Sequence, residues 1–205
     1  MSPFQQFLQH SKKVVPVISL PSLDMALPLM DALAAGGITV VEITLRTDCA
    51  LDAIILLTRE RPQLVVGAGT VKNAQQLQAV LSAGARFIVC PGLDLRLVEA
   101  AQKASVPILP GIMTPTELML AENAGLDTVK LFPATLAGGV EFISAMQAVF
   151  PAMKFFPTGG IGEATLQDFL NCGNVVCVGG SWLTPAKLLQ QQDWTKIREL
   201  AARCP

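Results

Sequence analysis

The chain has 205 residues, 51% of them hydrophobic and only 15% charged, with a formal net charge of −1. That length suits one domain with a large interior, and near-zero charge without a basic run or heptad pattern argues against nucleic acid and anionic membrane as partners. No apolar stretch reaches the roughly 18 residues of a membrane span, and the first ten residues lack a signal-peptide core, so a cytoplasmic location is expected.

Five cysteines, at 49, 90, 172, 177 and 204, show no CxxC spacing. Odd in number, they read as reduced thiols, neither a disulfide framework nor a zinc site. His10 is the single histidine and tyrosine is absent. A histidine metal cluster and a Ser-His-Asp triad are excluded by inventory, leaving carboxylates, lysine or water for acid–base work.

In chain order, Met1–Lys13 reads as an extra helix. Val14–Leu20 is the first apolar run, followed by amphipathic Asp24–Ala35, which ends in Ala35-Gly36. Thr39–Arg46 is the second run and Ala50–Arg61 the helix after it. Leu64–Thr70 leads through a capping Asn73 into Asn73–Ala83, closed by Gly84. Phe87–Gly92 precedes a capping Asp94. Pro107–Ile112 precedes a capping Thr114, whose helix Thr114–Ala124 is closed by Gly125. Thr128–Ala134, Lys154–Gly159 and Val175–Ser181 complete eight runs. Polar residues ahead of helices and glycines behind them are the expected start and stop signals.

Strict alternation of strand and helix predicts a parallel sheet with right-handed crossovers. Eight units without a composition break predict an α/β chain folded as a closed (β/α)8 TIM barrel with an extra N-terminal helix, one domain over residues 1–205. An open doubly wound sheet is the alternative. Such barrels usually take about 250 residues, so the loops must be short. Their catalytic groups sit at the C-terminal strand ends, on side chains that alternate inward.

Lys130 stands out because it lies inside an apolar run, where an ammonium is expensive to bury. Val129 and Leu131 share one face and suit a helix-covered exterior, which turns Lys130 and Phe132 inward. The bland alternative is a lysine that snorkels to solvent near a strand end. In the second run Val41, Ile43 and Leu45 form an apolar face, and Glu42, Thr44 and Arg46 lie opposite. A carboxylate, a guanidinium and an ammonium therefore meet on one inner surface, as a reactive site or as a structural ion-pair network. An inward lysine able to shed its proton suits imine formation with a carbonyl compound.

The last two runs end in Pro157-Thr-Gly-Gly-Ile161 and Gly179-Gly-Ser181. Glycines there let backbone N–H groups approach an anion, at the recurrent phosphate site of this fold. No GK[ST] follows a glycine run, so a nucleotide P-loop is not expected. Thr70 either offers its hydroxyl to a substrate carboxylate or caps the next helix. Cys90-Pro91-Gly92 and Leu109-Pro110-Gly111 are ordinary turn chemistry, and Cys90 reads as a small buried hydrophobe before it reads as a nucleophile.

Several motifs in this order resemble the 2-keto-3-deoxy-6-phosphogluconate (KDPG) aldolase family, which also holds 4-hydroxy-2-oxoglutarate aldolases. They are Val-Pro-Val-Ile (15–18), Glu-Ile-Thr-Leu-Arg-Thr (42–47), Gly-Ala-Gly-Thr-Val (67–71), Pro-Gly (91–92), Pro-Gly-Ile (110–112), Lys-Leu-Phe-Pro-Ala (130–134), Pro-Thr-Gly-Gly-Ile (157–161) and Gly-Gly-Ser-Trp-Leu (179–183). The resemblance implies a class I aldolase that needs no metal or other cofactor, acts on a small 2-keto acid and assembles as a homotrimer. Lys130 matches the Schiff-base lysine and Glu42 the general acid/base. Arg46 and Thr70 match the residues at the substrate carboxylate. Phe132, Pro91 and Thr158 match site walls, and Gly159, Gly160, Gly180 and Ser181 the phosphate end. Two positions depart from the pattern: Leu131 replaces a common Phe, and Thr135 stands where many members carry an acid. Decarboxylation of oxaloacetate or cleavage of 4-hydroxy-2-oxoglutarate by the same imine is the near alternative. An isomerase on a phosphate-binding barrel and a catalytically silent sugar-phosphate binder are the distant ones.

Overall fold

Each apolar run becomes a strand shorter than the run itself. In the computed structural model, which describes residues 3–205, the strands are β1 (Val14–Ile18), β2 (Val40–Thr44), β3 (Val65–Gly69), β4 (Ile88–Val89), β5 (Ile108–Leu109), β6 (Gly111–Ile112), β7 (Thr128–Leu131), β8 (Lys154–Pro157) and β9 (Val178–Gly180). All their pairings are parallel. They form a six-stranded sheet, β5-β4-β3-β2-β1-β9, and a three-stranded sheet, β6-β7-β8.

The division has a local cause at one side. The run Pro107–Ile112 is interrupted by Pro110, which has no N–H to give to a ladder. Its lower half, β5, pairs with β4, and its upper half, β6, pairs with β7. The Pro110 carbonyl still accepts the Lys130 backbone N–H at 2.9 Å. At the other side, single bridges Phe155↔Val175 and Thr158↔Gly179 connect the β8 and β9 segments. The protein is thus an α/β fold of parallel strands curled around an interior, with helices outside. The strands are paired as two sheets joined by these bridges.

The helices are α1 (Pro3–Phe7), α2 (Ala26–Ala35), α3 (Ala50–Glu60), α4 (Ala74–Ser82), α5 (Leu95–Lys103), α6 (Pro115–Asn123), α7 (Gly139–Val149), α8 (Leu166–Leu170), α9 (Ala186–Gln191) and α10 (Trp194–Ala202). Asn73, Asp94 and Thr114 cap α4, α5 and α6 as their positions predict, and Thr114 completes a capping box with Glu117. Gly84 and Gly125 adopt left-handed backbone after α4 and α6, at φ 87° and 76°. After α2 that role falls to Gly37, at φ 88°, not to Gly36. A side chain at Gly36 would strike Ala201 of α10. Of the expected N-terminal helix, Met1 and Ser2 lie outside the described residues; α1 is followed by a 3-10 turn over Leu8–His10.

The two faces of the strands feed two separate cores. Val41, Ile43, Val129 and Leu131 point into the large cluster under the helices. Val15, Val40, Phe87, Val89, Leu109, Phe156 and Cys177 form a smaller cluster on the inner side. Phe4 of α1 closes it from below, with its ring 5.1 Å from Phe87 and 5.8 Å from Phe156. This inner floor is wholly apolar, and what lies above it is not.

Candidate active site

Strand alternation sets Lys130 and Glu42 on the inner side, above that floor, and both are sealed from water at 3% and 1% exposure. The Lys130 Nζ lies 4.0 Å from Glu42 Oε1. It also lies 4.5 Å from the centroid of the Phe132 ring, within cation–π range. A snorkelling lysine is therefore not what the chain builds. Among the described residues Glu42 Oε2 has no hydrogen-bond partner. Burial pushes the Glu42 carboxyl above the ordinary glutamate range, against the pull of Lys130 and then Arg46.

Room for Glu42 is made by Gly69, because a β-carbon there would coincide with the Glu42 carboxylate. Gly69 is a residue to which motif reading gave no role. Its role emerges from the register of β3 on β2, with Gly67 opposite Glu42 and Gly69, two residues on, opposite Thr44. Thr44 itself, though it shares the inner face, donates its hydroxyl to the Ile18 carbonyl at 2.9 Å and lies 2.9 Å from the Ser19 hydroxyl.

Beside the pair, a cavity of about 90 Å³ is lined by Val17, Arg46, Phe132, Thr158, Gly159, Gly160, Ile161, Gly179 and Ser181. Six of these nine are residues assigned a site role from the sequence, and Gly179 belongs to the glycine pair read there as an anion contact; Val17 and Ile161 were missed. Arg46 is the one charged residue in this lining. Thr158 is buried, and its hydroxyl has no hydrogen-bond partner among the described residues. Gly179 is small because Thr158 Oγ1 occupies the place of its β-carbon. Gly180 is a neighbour of the cavity and not part of its lining; it leaves space for the Trp182 ring.

Thr70 and Pro91 stand apart from this cavity. Thr70 does not cap α4, since Asn73 does. It takes a left-handed backbone at φ 61°, strained for a β-branched residue and characteristic of functional positions. Pro91 lines a shallow neighbouring hollow with Val71, Lys72, Gly92, Leu93, Asp94 and Leu97. Cys90 is buried, and desolvation pushes its thiol up to about 12, so it is an inert core residue. A larger cavity, about 310 Å³, opens at the opposite end beside Phe4, Leu109 and Asp127. It lacks the buried charged pair and lies beside β5 and the start of β7.

The whole chain matches proteins of known kind. The family model for KDPG and KHG aldolases covers residues 6–200. The KHG/KDPG aldolase of Escherichia coli K12 is 48% identical over 188 residues, spanning 92% of this chain and 88% of that protein. The crystal structure of a KDPG aldolase from Legionella pneumophila, with pyruvate captured at low pH as a covalent carbinolamine intermediate, superposes with a TM-score of 0.95. It is 41% identical and covers 99% of this chain and 98% of its own. The Zymomonas mobilis ZM4 KDPG aldolase, determined with 3-phosphoglycerate, gives a TM-score of 0.89 at 40% identity, covering 97% of this chain and 93% of its own. The chain belongs to the KDPG and KHG aldolase family. It is an aldolase, a lyase that acts on a carbon–carbon bond near a carbonyl.

Gly69→Ala is expected to leave the far-ultraviolet circular dichroism unchanged and to lower kcat about 10²-fold, the usual cost of displacing a reacting group by an ångström. Retained activity in a folded Gly69→Ala protein would mean that Glu42 is not held in place by this packing.

Proposed function

We propose that this chain cleaves 2-keto-3-deoxy-6-phosphogluconate to pyruvate and glyceraldehyde 3-phosphate through an imine on Lys130. The observation that carries this reading is the sealed Lys130–Glu42 pair beside a cavity rimmed by Arg46 and glycine loops. We further propose one domain over residues 1–205, closed as an eight-fold β/α barrel; the bridges between the β8 and β9 segments support closure.

The neutral Lys130 amine attacks the C2 ketone to give a carbinolamine. Glu42 carries a proton to the departing hydroxyl, and water leaves an iminium. Glu42, ionised, then takes the C4 hydroxyl proton. The C3–C4 electron pair flows into the iminium, releasing the aldehyde and leaving an enamine. Protonation at C3 and hydrolysis return pyruvate and free Lys130. A carboxyl that burial holds above its ordinary range is suited to taking and returning protons in this way. Arg46 and Thr70 hold the substrate carboxylate, Phe132, Pro91 and Thr158 bound the reacting carbons, and Gly159, Gly160, Gly180 and Ser181 hold the phosphate. Arg46 is well placed for a forked contact to a planar carboxylate.

A second reading is favoured by the scarcity of charge at the far end. Apart from Arg46, the cavity offers only backbone and hydroxyl donors, which also suit the terminal carboxylate of 4-hydroxy-2-oxoglutarate. The ratio of kcat/KM for the two acids separates these readings. Assembly as a homotrimer is supported by exposed apolar side chains such as Leu136, 77% exposed, and Met119, 56% exposed. A cytoplasmic location agrees with the absence, among the described residues, of any helix long and apolar enough to cross a membrane.

Borohydride reduction with pyruvate is expected to add one stable mass to the peptide carrying Lys130; no adduct, or an adduct on another lysine, refutes the imine role. Glu42→Gln is expected to lower kcat about 10²- to 10⁴-fold while still allowing slow trapping. In carbon-13 spectra of carboxyl-labelled glutamate, the resonance lost in Glu42→Gln should titrate above the other glutamates. The sign follows from burial: a raised folded pKa means that stability falls as pH rises from the ordinary glutamate range through the raised value. A Glu42 midpoint at or below that range contradicts the desolvated site. Sedimentation equilibrium should return three times the 21.7 kDa chain mass, and a monomer ends the trimer reading.

A further inference from the structure

The loop after β7 runs beside the loop after β8. Ala134 N–H donates to the Thr158 carbonyl at 2.8 Å, and Thr135 N–H donates to the Gly159 carbonyl at 3.2 Å. The Thr135 hydroxyl donates to that same carbonyl at 3.4 Å. Each Thr135 contact is long and weak alone, yet together they engage both lone pairs of one oxygen. Gly159 and Gly160 both have left-handed backbone, at φ 101° and 79°. Two adjacent glycines of this kind leave the peptide between them free to turn over. Thr135 also packs so closely on Gly160 that a β-carbon there would strike its hydroxyl.

In a planar trans peptide the carbonyl of one residue and the N–H of the next point in opposite directions. Fixing the Gly159 carbonyl toward Thr135 therefore fixes the Gly160 N–H away from it. Gly159 and Gly160 line the cavity beside Arg46 and Ser181, where cationic side chains are scarce and backbone donors must hold an anion.

We propose that Thr135 is a positioning residue, a clamp on the Gly159–Gly160 peptide that keeps the Gly160 N–H directed at the distal phosphate of the substrate. Thr135 is exposed and is not among the residues that line the cavity. Its effect belongs to the far end of the substrate and not to imine chemistry. The proposal rests on the reading of the Gly159–Gly160 side of this cavity as the phosphate end.

Thr135→Val keeps the shape of the side chain and removes the hydroxyl. It is expected to raise KM for the phosphorylated sugar acid about 3- to 10-fold, the usual worth of one neutral hydrogen bond. The kcat should stay within about two-fold, and the rate of pyruvate trapping on Lys130 should not change, because pyruvate has no distal anion. Thr135→Ser restores the hydroxyl and should restore KM; rescue of this kind separates the clamp from mere packing. An unchanged KM in Thr135→Val, or a loss of trapping alongside it, overturns the clamp. If the wild-type protein binds the dephosphorylated sugar acid with the same KM as the phosphorylated one, the phosphate subsite itself falls, and the clamp with it.

Discussion

Everything at the mouth of this fold is arranged around two charges that have been removed from water together. A lone buried carboxylate or ammonium costs several kcal/mol after relaxation. Lys130 and Glu42 offset part of that through a separation of 4.0 Å and part through the face of Phe132. The arrangement is still incomplete, since one Glu42 oxygen and the Thr158 hydroxyl remain unpartnered among the described residues. Apolar replacements of buried ion pairs commonly equal or exceed them in stability. Retention of the charged pair is intelligible as chemistry held ready, and the small residues around it follow from its space requirement: Gly69 yields to Glu42, and Gly179 to Thr158.

The strands deliver these groups by an elementary rule. Successive side chains alternate between a helix-covered face and an inner face, so a single register decides both cores at once. Val41 and Ile43 go to the outer core while Val40 and Glu42 go inward; Val129 and Leu131 go outward while Lys130 goes inward. A slip of one residue in β2 or β7 would drive a charge into the helix interface and an aliphatic side chain into the site.

Most of this was legible in the sequence for one reason: period and capping are local properties. The strand candidates, the caps at Asn73, Asp94 and Thr114, the inward turn of Lys130 and the opposition of Glu42 all depend on residues within one element. What escaped depends on residues far apart in the chain. That position 36 is glycine because Ala201 approaches it, while the left-handed turn falls to Gly37, needs the packing of α10 on α2. That Gly179 borders the cavity while Gly180 makes way for Trp182 follows from contacts across loops. The role of Gly69 needs the β2–β3 register, and the split of the strands needs knowledge of how Pro110 divides its partners.

That split has a mechanical meaning. Lys130 and Phe132 belong to the β7 segment of the three-stranded sheet, and Thr158 follows its β8 edge. Glu42 belongs to the six-stranded sheet, whose β2 end carries Arg46 and whose β9 end carries Ser181. The amine and its carboxylate thus ride on different hydrogen-bonded plates. The two sheets meet where the chain passes from β5 through Pro110 to β6 and where the bridges join the β8 and β9 segments. The 4.0 Å between Lys130 and Glu42 is thus a distance across two sheets, tied together at those two places.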